Sequence, residues 1–340
     1  MSDREQYGTE QTEAGNDGRP AASGARPVPG RLKWILTRQE TPIALGLLGL
    51  VLLITTFAPH FLSGGNIGSL TRQISFLAIM ALGQLFVIVT AGIDLSVGSV
   101  AAFSGVTGGL TMVATGNPFI GVTVAIFTGM ATGAFNGYLV AYGRVTPFIV
   151  TLGMMSVARG AVYVLTEGWP VTEIPRELIY LAQGRVFGVT VPVLILIGLA
   201  IACHIALRYT AFGRRVYAVG GNEEATVLTG INVRRIKLAV YMISNAMAAV
   251  VGVLLVARFS SAQSSAAETW ELDSIAAAVI GGTSLMGGTG SVLGVVIGAS
   301  IMGVIRNGLV LMRVSVYWQT LVIGAVIIVA AIIDSKRNRG

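Results

Sequence analysis

Runs of apolar residues, broken by glycine or by short polar segments, fill the chain from about residue 42 to residue 333. A bilayer core about 30 Å thick takes roughly 20 apolar residues in a helix. On that scale the runs predict ten spans, near 42–58, 74–92, 96–115, 118–142, 147–166, 189–207, 237–257, 275–286, 289–305 and 316–333. Two stretches, 74–115 and 275–305, also read as single crossings interrupted by glycine. The fold class that follows is an all-α integral membrane protein with some short or re-entrant helices.

Basic residues decide between these readings, because cytoplasmic loops collect Lys and Arg. Arg26, Arg31, Lys33 and Arg38 precede the first span, and Lys336, Arg337 and Arg339 end the chain. Arg208, Arg214, Arg215, Arg234, Arg235 and Lys237 bracket the loop after the sixth span. Placing all three groups inside requires 74–115 to cross twice, and 275–305 to cross an even number of times or to dip in and return. Ten spans with both termini cytoplasmic satisfy this, and a re-entrant pair at 275–305 satisfies it equally. The outer loops then fall at 59–73, 116–117, 167–188, 258–274 and 306–315. Trp169, Trp270, Tyr317 and Trp318 near them are expected in the interfacial belt. The long loops 167–188 and 258–274 read as plain connections or as docking places for an external partner.

Composition agrees with a lipid solvent. Of 340 residues 54% are hydrophobic and only 11% charged, and the mean hydropathy is +0.76, so polar surface is too scarce to solvate a globule of this size. A net charge of +7 would raise nucleic acid as a partner in a soluble protein. Here it reads as topology, and no nucleic-acid partner is expected. Glycine fills 44 positions, about twice its usual share of roughly 7%, mostly inside apolar runs, where it lets helix backbones approach closely. Cys203 has no partner for an intrachain disulfide, and His60 and His204 lack metal-ligand spacing. Neither a metal nor a cofactor is expected. Residues 1–38, acidic and then rich in Pro, Gly and Ala, read as a disordered cytoplasmic tail before a membrane domain at 39–335 and a basic end at 336–340. With no apolar core before Pro42, no cleaved secretory signal is expected.

The cytoplasmic loop at 208–237 carries the clearest local pattern. Gly221 and Asn222 precede Glu223, Glu224, Ala225 and Thr226, and Gly230 follows. Asn222 is a favoured N-cap, the glutamates stand where the positive end of a helix dipole stabilises carboxylates, and Gly230 stands where a left-handed residue ends a helix. A helix of about two turns is marginal alone in water, so a cytoplasmic partner holds it or it packs under its own bundle. Lys33, Lys237 and Lys336 follow Leu32, Ile236 and Ser335. A phosphate-cradling loop needs Gly-Lys followed by Ser or Thr, so the chain is not itself a P-loop ATPase.

Four blocks in order carry a family resemblance: Thr90–Ser99, Thr146–Met154, Phe212–Val233, and Glu271–Ala277 running on to Gly281–Ser284 and Gly287-Gly288. From about 60 to 335 the chain resembles a permease subunit of bacterial ABC importers for monosaccharides, the group that includes the ribose, xylose and galactose systems. The resemblance implies a homodimeric pathway in the cytoplasmic membrane, separate ATP-binding-cassette ATPase subunits below it, and an extracytoplasmic sugar-binding protein that delivers the solute. It makes the 222–230 segment the coupling helix that seats in the ATPase. No catalysis is expected of this chain.

Ionisable and amide groups within spans are costly, which marks them for inspection. Asp94, with Ser96 and Ser99, reads as an N-cap at the cytoplasmic end of a new helix or as a proton or solute site. Arg159 reads as a pathway residue or as half of a structural pair. Gln84, Asn136, Asn245 and Asn307 read as interhelical hydrogen-bonding groups or as partners for solute hydroxyls, and Asp273 as a cap at the outer end of the eighth span. The competing function is an ion-coupled secondary transporter working through Asp94 or Arg159. No paired catalytic groups converge within the spans, which argues against an enzyme.

Overall fold

The structure, a computed structural model, describes residues 40–337. The tail at 1–38 lies outside the described residues, as do residues 338–340. The first helices are α1 (Glu40–Phe57), α2 (Gly64–Val89), α3 (Val97–Thr115), α4 (Pro118–Ala141), α5 (Pro147–Thr166) and α6 (Arg176–Gln183). A small hairpin, β1 (Arg185–Val186) and β2 (Val189–Thr190), leads to α7 (Val191–Tyr209), α8 (Ala211–Gly221), α9 (Glu223–Leu228) and α10 (Val233–Phe259). The chain closes with α11 (Trp270–Ile280), α12 (Val292–Leu311) and α13 (Val316–Arg337).

Among the described residues eight helices, α1–α5, α7, α10 and α12, are long and apolar enough to cross a membrane, and α13 contributes the shorter apolar stretch Val316–Ile332. α2 and α10 form the centre: α2 is buried without interruption from Ser75 to Val89, and α10 from Val251 to Ala257. Helices apolar on every side belong in such a position. Peripheral helices instead present Leu52, Phe127, Val164 and Ile201 outward, as lipid-facing surface does. α4 closes on α10 through Gly129, Gly133 and Gly137, where a β-carbon would collide with Asn245, Tyr241 and Leu238.

Two crossings are broken. After α2 the segment 90–96 folds back beside its own helix, where the Gln84 amide donates to the Asp94 carbonyl, and α3 then starts at Val97. After α10 the segment 260–269 descends into the bundle before α11 starts at Trp270. Gly98 at the head of α3 packs on the Ala267 carbonyl and the Glu271 side chain at the head of α11, so the two breaks meet. With eleven residues, α11 is about 16 Å long, half a bilayer. The region 275–305 is therefore one half-length helix and one full span, and 258–274 enters the bundle as the first half of a broken crossing rather than forming an outer loop. Trp270 is correspondingly inside the bundle, beside Asp273 and Arg306, rather than in an interfacial belt. Gly282, Gly287 and Gly288 adopt φ of 91°, 88° and 74°, and these left-handed positions turn the chain between α11 and α12.

The loop 167–188 is built rather than plain. It holds α6, which buries Leu178 and Ala182, and the hairpin, whose two-residue turn has positive φ at Phe187 (50°) and Gly188 (81°), the geometry that matches strand twist. A backbone bridge from Val171 to Ala262 ties this loop to the segment 260–269.

Candidate functional site

On the side carrying Arg214, Arg215, Arg234 and Arg235, α8 and α9 form a helical elbow. The Thr210 hydroxyl caps α8 by accepting from Gly213 N at 3.2 Å. Asn222 Oδ1 caps α9 by accepting from Ala225 N at 2.8 Å, and the Thr226 hydroxyl donates to Asn222 O at 2.7 Å. Gly230 closes the turn with φ 80°. Thr226 faces inward at 5% exposure, while Gly221, Glu223, Glu224 and Ala225 are exposed and Val227 and Leu228 stand out at 55% and 89%. Lys237 on α10 pairs with Glu223 at 2.7 Å, which fixes α9 against its own bundle. An open cleft of about 690 Å³ lies beside α9, with Arg144, Pro147, Val227, Ile231 and Arg234 among its walls.

The elbow meets the interior backbone to backbone. Gly288 N donates to Val89 O, at the end of α2, at 2.9 Å, and Gly220 leaves no room for a β-carbon against that same pair. Tyr217 donates to Gly290 O at 2.8 Å. Burial raises the Tyr217 phenol above its ordinary value, partly offset by the Arg208 charge, so the hydroxyl remains a donor at neutral pH.

Asp94 is fully buried and lies deeper than a cytoplasmic cap. Its Oδ1 accepts from Ser96 N at 2.9 Å and from the Ser96 hydroxyl at 2.6 Å, and its Oδ2 accepts from Ser244 at 3.2 Å and from Asn245 Nδ2 at 2.8 Å. Ser244 and Asn245 stand two turns into α10 beyond Lys237. Asn136 on α4 joins through Nδ2 to Ser96 Oγ at 3.0 Å. The carboxylate thus ties the broken α2–α3 crossing to α10 and α4; the N-cap position of α3 is Ser96, whose side chain makes no capping bond.

The remaining candidates are dispersed. Asn307 and Asn66 exchange paired amide bonds of 2.9 Å between α12 and α2. Arg159 donates from Nη1 to Ser264 O at 2.7 Å and Ala266 O at 3.1 Å, pinning the segment 260–269 to α5. Asp273 caps nothing: it pairs with Arg306 on α12 at 2.7 Å. Sequence reasoning overlooked Ser244 and Arg306, each of which looked like an isolated polar residue until a partner some 33 to 150 positions away came beside it. These buried groups make no catalytic constellation, and among the described residues no cluster of His, Cys, Asp or Glu could hold a metal ion.

A many-pass helical bundle with broken crossings, interior polar groups spent on interhelical bonds and a capped helical elbow at one end has the make-up of a membrane transport component. Residues 66–331 match the family model described as a branched-chain amino acid transport system / permease component. The ribose import permease protein of Escherichia coli is 43% identical over 90% of this chain and 95% of its own length, and that of Bacillus subtilis 40% identical over 86% and 92%. The xylose transport system permease protein of Escherichia coli is 36% identical over 82% and 87%. The chain belongs to this family, the permease subunits of bacterial ABC-type importers, in the company of the sugar permeases, and its place is the bacterial inner membrane. No solved structure matches it.

Proposed function

We propose that this chain is the membrane subunit of an ATP-driven monosaccharide importer: two copies form the pathway, separate ATPase subunits engage Gly221–Thr226 and Gly230 from the cytoplasm, and an extracytoplasmic binding protein supplies a ribose- or xylose-like sugar. The observation that carries this reading is α9, a capped helix that anchors Thr226 inward while projecting Leu228 at 89% exposure beside an open cleft. A six-residue helix held this firmly, with its apolar end bare, suits insertion into a partner. The relatives' names point to pentoses as the solute class.

Uptake of labelled ribose, xylose and galactose into vesicles is expected only when the ATPase and binding protein are co-reconstituted. Reversing charge at Glu223 and Glu224 together is expected to lower uptake while leaving the permease folded by gel filtration. Transport by the purified chain alone, driven by a proton or sodium gradient, would overturn the proposal in favour of an ion-coupled carrier.

A further inference from the structure

The segment 260–269, where the crossing after α10 is broken, exposes a surface that lipid disfavours. Ser265, Glu268 and Thr269 are exposed there, and Ser264 is partly so. Their depth follows from packing. α3 runs alongside α10 with Ala101 against Gly252, and Gly98, which touches Ala267 and Glu271, lies one turn lower. On α10 the flanking charges Lys237 and Arg258 are about 32 Å apart, close to one hydrocarbon thickness. Gly98 therefore sits about 14 Å below Arg258 and about 18 Å above Lys237, near the middle. A carboxylate facing hydrocarbon at that depth is strongly unfavourable, and intramembrane ionisable groups face the protein interior or a water-filled path.

Other polar groups gather at the same place. Arg159, Glu268 and Asp273 are all close enough to act electrostatically on Glu271, and one oxygen of Glu271, Oε2, is buried without a hydrogen-bond partner. Ser156, one turn from Arg159 on α5, is exposed. By contrast, α7 exposes only apolar residues and glycine between Leu194 and Ile201. Helices α3 and α11 both begin here at breaks in the chain, and such discontinuous helices form solute sites at mid-membrane because their free backbone groups and nearby side chains face the path.

We infer that Ser265, Glu268 and Thr269, with Ser156 and Arg159 beside them, are this chain's wall of the aqueous solute pathway, where their hydroxyl and carboxylate groups replace water around a neutral polyhydroxylated solute. The exposed charge on the wall is the Glu268 carboxylate, which accepts hydrogen bonds from hydroxyl groups and repels anions. The inference rests on the importer reading above and adds where the sugar passes.

Cys203 is the single cysteine and is 3% exposed, so a new thiol reports its own position. In the assembled importer, S265C and E268C are to be treated with a charged, membrane-impermeant methanethiosulfonate reagent, with I201C on the lipid face as the reference. Labelling at both wall positions is expected to exceed the reference by roughly tenfold or more, since a charged reagent meets at least that barrier in hydrocarbon. Labelling needs neither sugar nor ATP, so it reads the wall even where uptake fails for other reasons. E268Q, which exchanges a charged acceptor for a neutral amide, is expected to raise KM for the sugar carried by the wild-type complex about fivefold. Labelling no faster than at I201C, or fast labelling with an unaltered KM in E268Q, would overturn the inference.

Discussion

Asp94 takes hydrogen bonds from Ser96, Ser244 and Asn245, and every one of these groups is buried. Removing the carboxylate leaves donors without acceptors, at about 1–3 kcal/mol for each group stranded. Asp94→Ala should therefore unfold at a lower temperature in detergent than Asp94→Asn, which keeps the volume and one carbonyl, and both should melt below the unaltered protein. Equal melting of Asp94→Ala and the unaltered chain would mean that water had filled the gap. An intramembrane carboxylate is visible in sequence as something unusual. Its depth is not, because depth depends on residues 90–96 folding back onto Gln84 and on a serine–asparagine pair about 150 residues away.

At the scale of elements, α9 was legible because capping is local: an N-cap, two glutamates in the first turn and a terminal glycine lie within nine residues. Asn222→Ala should cost this helix about 1 kcal/mol, read as faster amide exchange across 223–229 with little change elsewhere. α11 was less legible. Its first turn, Trp270–Asp273, is polar enough to resemble a loop, yet it is held inside the bundle by the Asp273–Arg306 pair, so the helix begins five residues before the apolar pattern suggests. The glycine-rich face of α4 gives a sharper test of packing. Gly133→Val forces a side chain into the backbone of α10 and should destabilise by about 1–3 kcal/mol. Gly153, by contrast, has open space within 4 Å of where a β-carbon would stand, and should accept valine with a melting temperature close to the unaltered protein.

For the whole molecule, hydropathy and charge parity together led to ten passages, and the eight long helices, the shorter apolar run of α13 and the half-length α11 account for that number. What hydropathy could not separate was a thin span from a re-entrant helix, since both are short apolar runs between glycines; only the meeting of α3 and α11 distinguishes them. The orientation itself is open to measurement. A protease site inserted between Phe187 and Gly188, at the hairpin tip, should be cut in intact spheroplasts, and one inserted after Gly230 only in inside-out vesicles; the reverse pattern would invert the topology.

The junction of Gly220, Val89 and Gly288 has a mechanical consequence. Three separate stretches of main chain touch there with no side chain between them, so no rotamer can turn to absorb a displacement. A push delivered to the α8–α9 elbow is handed on undamped to the end of α2 and to the turn feeding α12. The compliant parts of the molecule must then lie further up, where the breaks before α3 and α11 meet.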